Sequence, residues 1–579
     1  MSAAQVRWGA WQDTDGGWRF ALWAPAAMSV DLLLEDQVLP MQGSDDGWFA
    51  LTAPGAPGMR YRYRIDGGDA VPDPASRQQP DGLFGPSALV ADDFDWQHPD
   101  RSGRPWHEAV IYEVHVGAAG GSFNAVRDQL PKLADLGFTA IELMPVATFP
   151  GERNWGYDGV LQYAPAPAYG TPDELKALVD AAHGLGMMVL LDVVYNHFGP
   201  DGNPLPALAP AFFRSDLCTP WGNAVDFRRP EVQCYFIDNA VMWMRDYRFD
   251  GVRLDAVHAI HPLAFLNLLR DRVRAALPGR EVLLVLENEN NQSALLASGF
   301  TAQWNDDFHN ALHVLLTGEH EGYYGDYADD PSGRLRRVLA EGFAWQGETT
   351  RRGRARGEPS AGIPPQQFVV FCQNHDQTGN RAQGERLLQL VGPRRTALAM
   401  ALTALTPMIP MFFMGEPWGA RSPFLYFTDH RTPLDEQVRE GRRAEFAHFS
   451  SFKDEHRRAL IPDPNAPTTL AMSRAPWPAE DDPDAAAWLT WFRNLLEVRA
   501  AWLGPAASAQ SLGADVLAPG VLRAGWQLPG AQWWIAFNVS DATVPVTLPA
   551  GREVFRLGPP PDEEGLAPDS LYAVVVAAP

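Results

Sequence analysis

Between residues 105 and 504, eight short apolar runs alternate with amphipathic stretches. The runs are Ala109–Val116, Ala140–Met144, Met187–Val194, Gly251–Leu254, Val282–Leu286, Thr301–Trp304, Phe368–Cys372 and Met408–Met414. Helical periodicity fills intervals such as Asp173–Leu185, Glu231–Arg248 and Ala264–Ala276. A strand covered by helices on both faces of a parallel sheet reads as a continuous apolar run, not as an alternating one. Eight such strand–helix units predict an α/β fold of the (β/α)8 barrel type, closed by a last helix at Trp488–Leu503. No strand is followed by a GxGxxG turn, which argues against a dinucleotide-binding sheet. The apolar stretch Ala397–Met414 is long enough to suggest a membrane span. Thr403, Thr406, Pro407 and Pro410 interrupt it, so a buried helix Arg394–Leu405, a break at Pro407 and the eighth strand are expected instead.

A chain of 579 residues is too long for one ordinary domain. Residues 1–100 read as β-structure: Arg19–Trp23 is a short apolar strand, and Tyr61–Asp66 alternates with period two. Gly and Pro clusters such as Ala53–Gly58 punctuate them, predicting an N-terminal β-sandwich. From residue 505 the pattern returns to strands at Trp533–Phe537, Thr543–Val546 and Tyr572–Val576, predicting a C-terminal β-sandwich. The expected organisation is therefore 1–100, a barrel over 101–504 with a short insert at 198–230 after the third strand, and a β domain over 505–579.

The net charge of −24 should repel phosphate backbones and anionic lipid, so neither nucleic acid nor a membrane is the expected partner. A neutral substrate fits better. The 20 Trp offer flat apolar faces that suit sugar rings, although most are expected to be core. The three cysteines, Cys218, Cys234 and Cys372, cannot make a disulfide framework, and the N-terminus lacks the pattern of a secretory signal, which together predict a reducing cytoplasm. Arg351–Arg356 is a basic run flanked by Gly, Pro and Ser and reads as a solvated loop. There is no HExxH or Cys/His zinc spacing, no GxxxxGK[ST] phosphate loop and no GxSxG elbow, so no metal or cofactor is expected.

Barrel enzymes place their chemistry at the C-terminal ends of the strands. Four ends carry polar clusters: Asp192–His197, Arg253–His258, Glu287–Glu289 and Gln373–Asp376. Asp255 lies two residues from Arg253, on the same face of an extended strand, and a carboxylate beside Arg stays ionised, as a nucleophile must. Glu287 follows an apolar strand, where a raised pKa would suit a general acid. Such a pair is the arrangement of a retaining glycosidase. Period two places Glu289 on the face of Glu287, so spacing leaves either glutamate eligible as the acid.

The segments DVVYNH (192–197), GVRLDAVH (251–258), LEN (286–288) and NHD (374–376) resemble, in order and spacing, the four signature regions of the α-amylase superfamily. FALWAPA (20–26) is similar to the sandwich that precedes the barrel in branching-type members. YEVHVG (112–117), NWGYDGV (154–160), PWG (220–222), QWNDDFH (303–309), QNHDQ (373–377) and YFTDH (426–430) resemble the maltooligosyltrehalose trehalohydrolases within that superfamily. The resemblance implies Asp255 as the nucleophile, Glu287 as the acid/base and Asp376 as the third carboxylate. It implies Arg253 as the residue orienting Asp255, Asp192, His197 and His375 as ligands of the sugar at the cleavage site, and Tyr157 as its aromatic platform. Some α-amylases bind calcium through the residue matching Asn196 and a long inserted domain. The insert here is short and poor in clustered carboxylates.

The implied reaction is hydrolysis, with retention, of the α-1,4-glucosidic bond next to a terminal trehalose unit, which releases trehalose. His258, Trp221, Asp306, Asp307 and His309 are candidates to recognise the leaving trehalose. Against that role, Trp221 could anchor a loop, and Asp306 and Asp307 could cap a helix at Phe308–Leu316. The alternatives are a glucan branching enzyme, which passes the same intermediate to a sugar hydroxyl, and a glycan-binding barrel without catalysis.

Overall fold

The computed structural model describes residues 7–13, 16–99, 101, 103–219 and 222–577. Its centre is a closed barrel of eight parallel strands in sequential order. The strands are β1 (Ile111–Val114), β2 (Ala140–Leu143), β3 (Met188–Val193), β4 (Gly251–Leu254), β5 (Leu283–Leu286), β6 (Ala302–Trp304), β7 (Phe368–Val370) and β8 (Ile409–Phe413). Every residue of these strands is buried, as the apolar runs require. The helices that follow them are α1 (Leu130–Leu136), α2 (Pro172–Gly184), α3 (Pro230–Arg245), α4 (Ala264–Ala276), the short α5 (Ser293–Ala297), α6 (Asp306–Thr317), α7 (Leu387–Leu405) and α8 (Pro483–Trp502). Thr171 and Glu174 close a capping box on α2.

Register puts the functional residues in one layer. Asp192 on β3 lies opposite Arg253 on β4, and Arg253 opposite Val285 on β5. The ladder runs one residue past each strand, because Asp255 donates to the carbonyl of Val193 and Glu287 to that of Leu254. At the start of β4 a Cβ on Gly251 would sit 2.1 Å from the Leu283 carbonyl oxygen, so only glycine allows the close approach of β5.

The N-terminal strands form two sheets. One contains Gly9–Gln12, Trp18–Trp23, Trp48–Ala53 and Gln42–Gly43; the other contains Gln37–Pro40, Val30–Leu34, Arg60–Ile65 and Ala70–Val71. The period-two reading holds here: Tyr61 and Tyr63 are buried while Arg60, Arg62 and Arg64 are not. Trp8 ties this unit to the barrel, donating from Nε1 to the carbonyl of Glu231 on α3 at 3.0 Å and packing edge-on against Tyr235.

At the C-terminus, Gln510–Ala518, Val521–Leu528, Ala531–Asn538, Ser570–Ala577 and Arg552–Leu557 form one five-stranded antiparallel sheet. Trp533 on this sheet donates to the carbonyl of Leu405 at the end of α7. Thr543–Val546, expected as a strand, makes only the bridge Val544–Leu566; Pro545 lacks the N–H that a ladder needs. The helix expected at Arg394–Leu405 is present: Gly392 (φ 77°) separates it from the turns that begin at Leu387, and Pro393 opens the segment that runs to Leu405. The basic run 351–356 is not a plain loop. It joins the strands Gln346–Thr349 and Ala355–Gly357 of a hairpin. Among the described residues no helix is long and apolar enough to cross a membrane.

Candidate active site

One arginine organises the site. Arg253 is wholly buried on β4, and its Nη1 donates to Asp192 at 2.7 Å and to Asp255 at 2.8 Å. Its Nη2 lies 3.4 Å from Glu287. The guanidinium is stacked 4.1 Å from the ring centroid of Trp304 on β6, which fixes its plane and adds a cation–π contact. Three carboxyl groups from three strands thus meet one planar cation.

Asp255 lies one residue beyond β4. Its second oxygen accepts from Asn196 Nδ2 at 2.8 Å, and Asn196 also reaches its carbonyl at 3.1 Å. Both carboxylate oxygens are therefore held in place by donors. The next residue, Ala256, is left-handed (φ 41°, ψ 49°) although it carries a side chain, a conformation that costs about 1–3 kcal/mol. The turn aims the Ala256 N–H at Glu287 Oε2, 2.5 Å away.

Glu287 and Glu289 part at this point. Glu287 continues the β5 ladder and its side chain is 17% exposed on Arg253, whereas Glu289, in the turn beyond, is 52% exposed. Strand alternation ends at Leu286, so the two glutamates do not share a face. Burial, opposed by Arg253 and aided by the charges of Asp255, Asp376 and Asp306, pushes the Glu287 carboxyl up to about 8. Glu287 thus carries a proton at neutral pH.

A second chain of contacts forms the floor. His375 faces Glu113 of β1 through Nδ1 at 2.5 Å and the Tyr157 hydroxyl through Nε2 at 2.8 Å. Burial opposes a charge on this imidazole, but Asp376 and Glu113 outweigh it and hold its pKa well above the ordinary value. Protonated His375 donates at both nitrogens, so the Tyr157 hydroxyl donates onward to Asp192 at 2.5 Å. The Tyr157 ring stacks on His375 with centroids 5.2 Å apart. Burial raises Asp192 to about 6, with Arg253 opposing. Burial also disfavours charge on Asp376, but His375, 3.4 Å away, holds it below the usual carboxylate range. His197 is buried beside Asn196 and faces the Tyr157 carbonyl at 2.9 Å.

The residues expected on the leaving-group side divide. His258 lies at the rim, 3.8 Å from Glu289. Asp306 faces the acid region, and burial followed by the charge of Asp376 raises it to about 7. Asp307 turns away from the cleft. It is fully buried and accepts from Asn291 (2.9 Å), the Ala344 and Trp345 amides (2.7 and 3.1 Å) and Tyr327, with Arg356 at 3.3 Å. With its lone pairs filled by protein donors it ties loops together and offers nothing to a sugar. His309 is also committed inside, to the Cys372 carbonyl at 2.8 Å and the Tyr324 hydroxyl at 2.9 Å. Neither aspartate caps α6 by a side-chain hydrogen bond. Trp221 lies outside the described residues.

Several supporting residues were not foreseen from sequence: Glu113, which holds His375, Trp304 under Arg253, Asn196 on Asp255, and Arg356, which links the basic hairpin to Asp307. Glu142 on β2 is buried, and burial followed by the charge of Asp192 pushes its pKa well up. A lone Glu inside an apolar strand was the available signal for Glu113 and Glu142. Among the described residues no group of three His, Cys, Asp or Glu is placed to hold a metal ion.

Residues 81–204 match the family model of the alpha amylase catalytic domain, and residues 7–93 that of carbohydrate-binding module 48, the isoamylase N-terminal domain. The chain is 39% identical to the malto-oligosyltrehalose trehalohydrolase of Deinococcus radiodurans over 83% of this chain and 81% of that protein. It is 38% identical to the protein of the same name from Saccharolobus solfataricus, over 84% and 85%. A 1,4-alpha-glucan branching enzyme of Mycobacterium bovis matches at 34% over only 42% of this chain. A crystal structure from Salmonella typhimurium, provisionally named an alpha amylase, superposes with a TM-score of 0.94 at 42% identity, covering 99% of this chain and 100% of that one.

Proposed function

From a chain that belongs to the malto-oligosyltrehalose trehalohydrolases of the α-amylase family, we propose that Asp255 and Glu287 cleave the α-1,4 bond next to the terminal trehalose of maltooligosyltrehalose, with retention. Asp255 attacks the anomeric carbon of the glucose resting on Tyr157, forming a glycosyl ester as the bond to the glycosidic oxygen breaks. Glu287 gives its proton to that oxygen and trehalose leaves. Glu287, now ionised, takes a proton from water, which adds to the anomeric carbon and frees Asp255. Asp192 and Asp376 hold the hydroxyls of that glucose, His375 and His197 fix Tyr157 beneath it, and Arg253 orients Asp255. His258 and Asp306 face the trehalose.

The observation that carries this reading is the unequal treatment of two carboxyls on one guanidinium: Asp255 hydrogen-bonded on both oxygens, Glu287 pushed up to about 8. The reading includes a carbohydrate-binding N-terminal unit over 1–100, a barrel over 101–504, a β domain over 505–579, and a reducing cytoplasm as the compartment of its unpaired cysteines.

A paired digestion tests it, with maltotetraosyl-trehalose in one tube and maltohexaose in the other. Rapid trehalose release with slow maltohexaose cleavage is expected. Equal rates would make the protein a general α-glucan hydrolase. Branch points gained by amylose without hydrolysis would make it a transferase.

A further inference from the structure

We propose that Phe84, carried into the cleft by the N-terminal unit, and Arg431 with Asp201 form an outer sugar subsite for the glucan chain on the side of the cleavage point away from trehalose. This rests on the trehalohydrolase reading above. Phe84 is 44% exposed, so part of its ring is open to the solvent. Gln79 Nε2 donates to the carbonyls of Gly82 and Gly85, and Arg62 to that of Phe84 at 2.9 Å, so the loop is tied at three points. The Arg431 guanidinium carbon lies 3.7 Å from the Phe84 ring centroid. Arg431 also grips Asp201 with two bonds, at 3.1 and 2.7 Å.

Three separate segments meet here: the N-terminal loop, the insert after β3 and the chain that follows β8. Their meeting point adjoins the floor of the site. Leu83 packs with Val160 and Leu161, just past Tyr157 in the chain. A Cβ on Gly199 would lie 2.1 Å from the Asp158 carbonyl oxygen, and one on Gly202 2.7 Å from the rings and methyls of Phe84 and Leu83. His430, beside Arg431, faces Asp158 at 3.4 Å. Phe84 is thus joined to the segment that carries Tyr157 through Leu83 and the 158–161 stretch, on the β2 and β8 side of the barrel. His258 and Glu289 lie on the β4 and β5 side.

The chemistry suits a neutral hexose. An aromatic face takes the C–H face of a pyranose ring, and a half-exposed Arg beside a carboxylate offers donors and acceptors to its hydroxyls. Neither anion nor cation is favoured, because Arg431 and Asp201 neutralise each other. Only a substrate long enough to reach past Tyr157 would use this subsite, so it sets the preference for chain length.

The test compares kcat/KM on maltosyl-trehalose and maltopentaosyl-trehalose for the unaltered enzyme, Phe84→Ala, Phe84→Trp and Arg431→Gln. Phe84→Ala should lower the long-to-short ratio by about five- to tenfold, mostly through KM, and Arg431→Gln by about threefold. Phe84→Trp should keep the ratio. Thermal unfolding of each variant shows whether a loss is one of folding. A ratio unchanged in Phe84→Ala, or lowered equally by Trp, overturns the subsite. Failure of the unaltered enzyme to release trehalose from either substrate would instead overturn the trehalohydrolase reading itself.

Discussion

The two sides of the cleavage point were built from the same kind of sequence signal and met different fates. On the floor side, Asp192, Arg253, Asp255, Tyr157 and His375 converge into one hydrogen-bonded set. On the leaving-group side, His258 and Asp306 reach the cleft, while Asp307 and His309 are absorbed into the core. Asp192, Arg253 and Asp255 sit on strands or one step past them, where register dictates direction. Tyr157 and His375 lie further on, like the leaving-group candidates, and face the site because Asp192 and Glu113 hydrogen-bond them there. Past the end of the ladder, a motif residue reaches the site only where a buried polar partner holds it.

The largest separation should come from the two glutamates of the fifth strand end. Glu287→Gln should reduce trehalose release by about 10²–10⁴-fold, and Glu289→Gln by no more than a few-fold. A reversed order would move the acid to the rim. Next, Asp307→Ala should act on stability. Removing one partner of a buried ion pair costs about 3–5 kcal/mol, so the thermal midpoint should fall well before the specific activity of the folded fraction does. A loss of kcat at an unchanged midpoint would return Asp307 to the site.

The pH profile sharpens the comparison further. Glu287 must be protonated in the free enzyme, so kcat/KM should fall as pH rises through about 8. Asp306 contributes to that elevation by charge, and Asp306→Asn should move the alkaline limb to lower pH. An upward or absent shift would remove Asp306 from the surroundings of the acid. The smallest effect is expected at the rim. His258→Asn should raise KM for maltotetraosyl-trehalose about two- to fivefold, the scale of one exposed hydrogen bond, and should leave maltohexaose cleavage unaffected.

Much of the architecture was legible because burial on both faces leaves a plain mark. Eight apolar runs correspond to the eight barrel strands, and even the three-residue β6 was visible as Thr301–Trp304. Alternation in Tyr61–Asp66 marked a half-buried strand for the same reason. The run Thr543–Val546 carried a strand-like composition without a partner able to pair with it, so it remains a single bridge. The hairpin around Arg351–Arg356 was hidden because its charged turn is indistinguishable from any solvated loop, while the inward turn of Arg356 depends on Asp307, far away in the chain.

Residue order alone determined the barrel, its two β flanks and the identity of the strand-end carboxylates, since these follow from local periodicity and from the rule that parallel strands present their C-terminal ends together. The choice between Glu287 and Glu289 needed the folded chain, because it turns on where the β5 ladder stops and on a guanidinium supplied by β4. The meeting of Phe84, Asp201 and Arg431 needed it too: these residues are hundreds of positions apart, and only packing of the N-terminal unit against the barrel brings them to one rim.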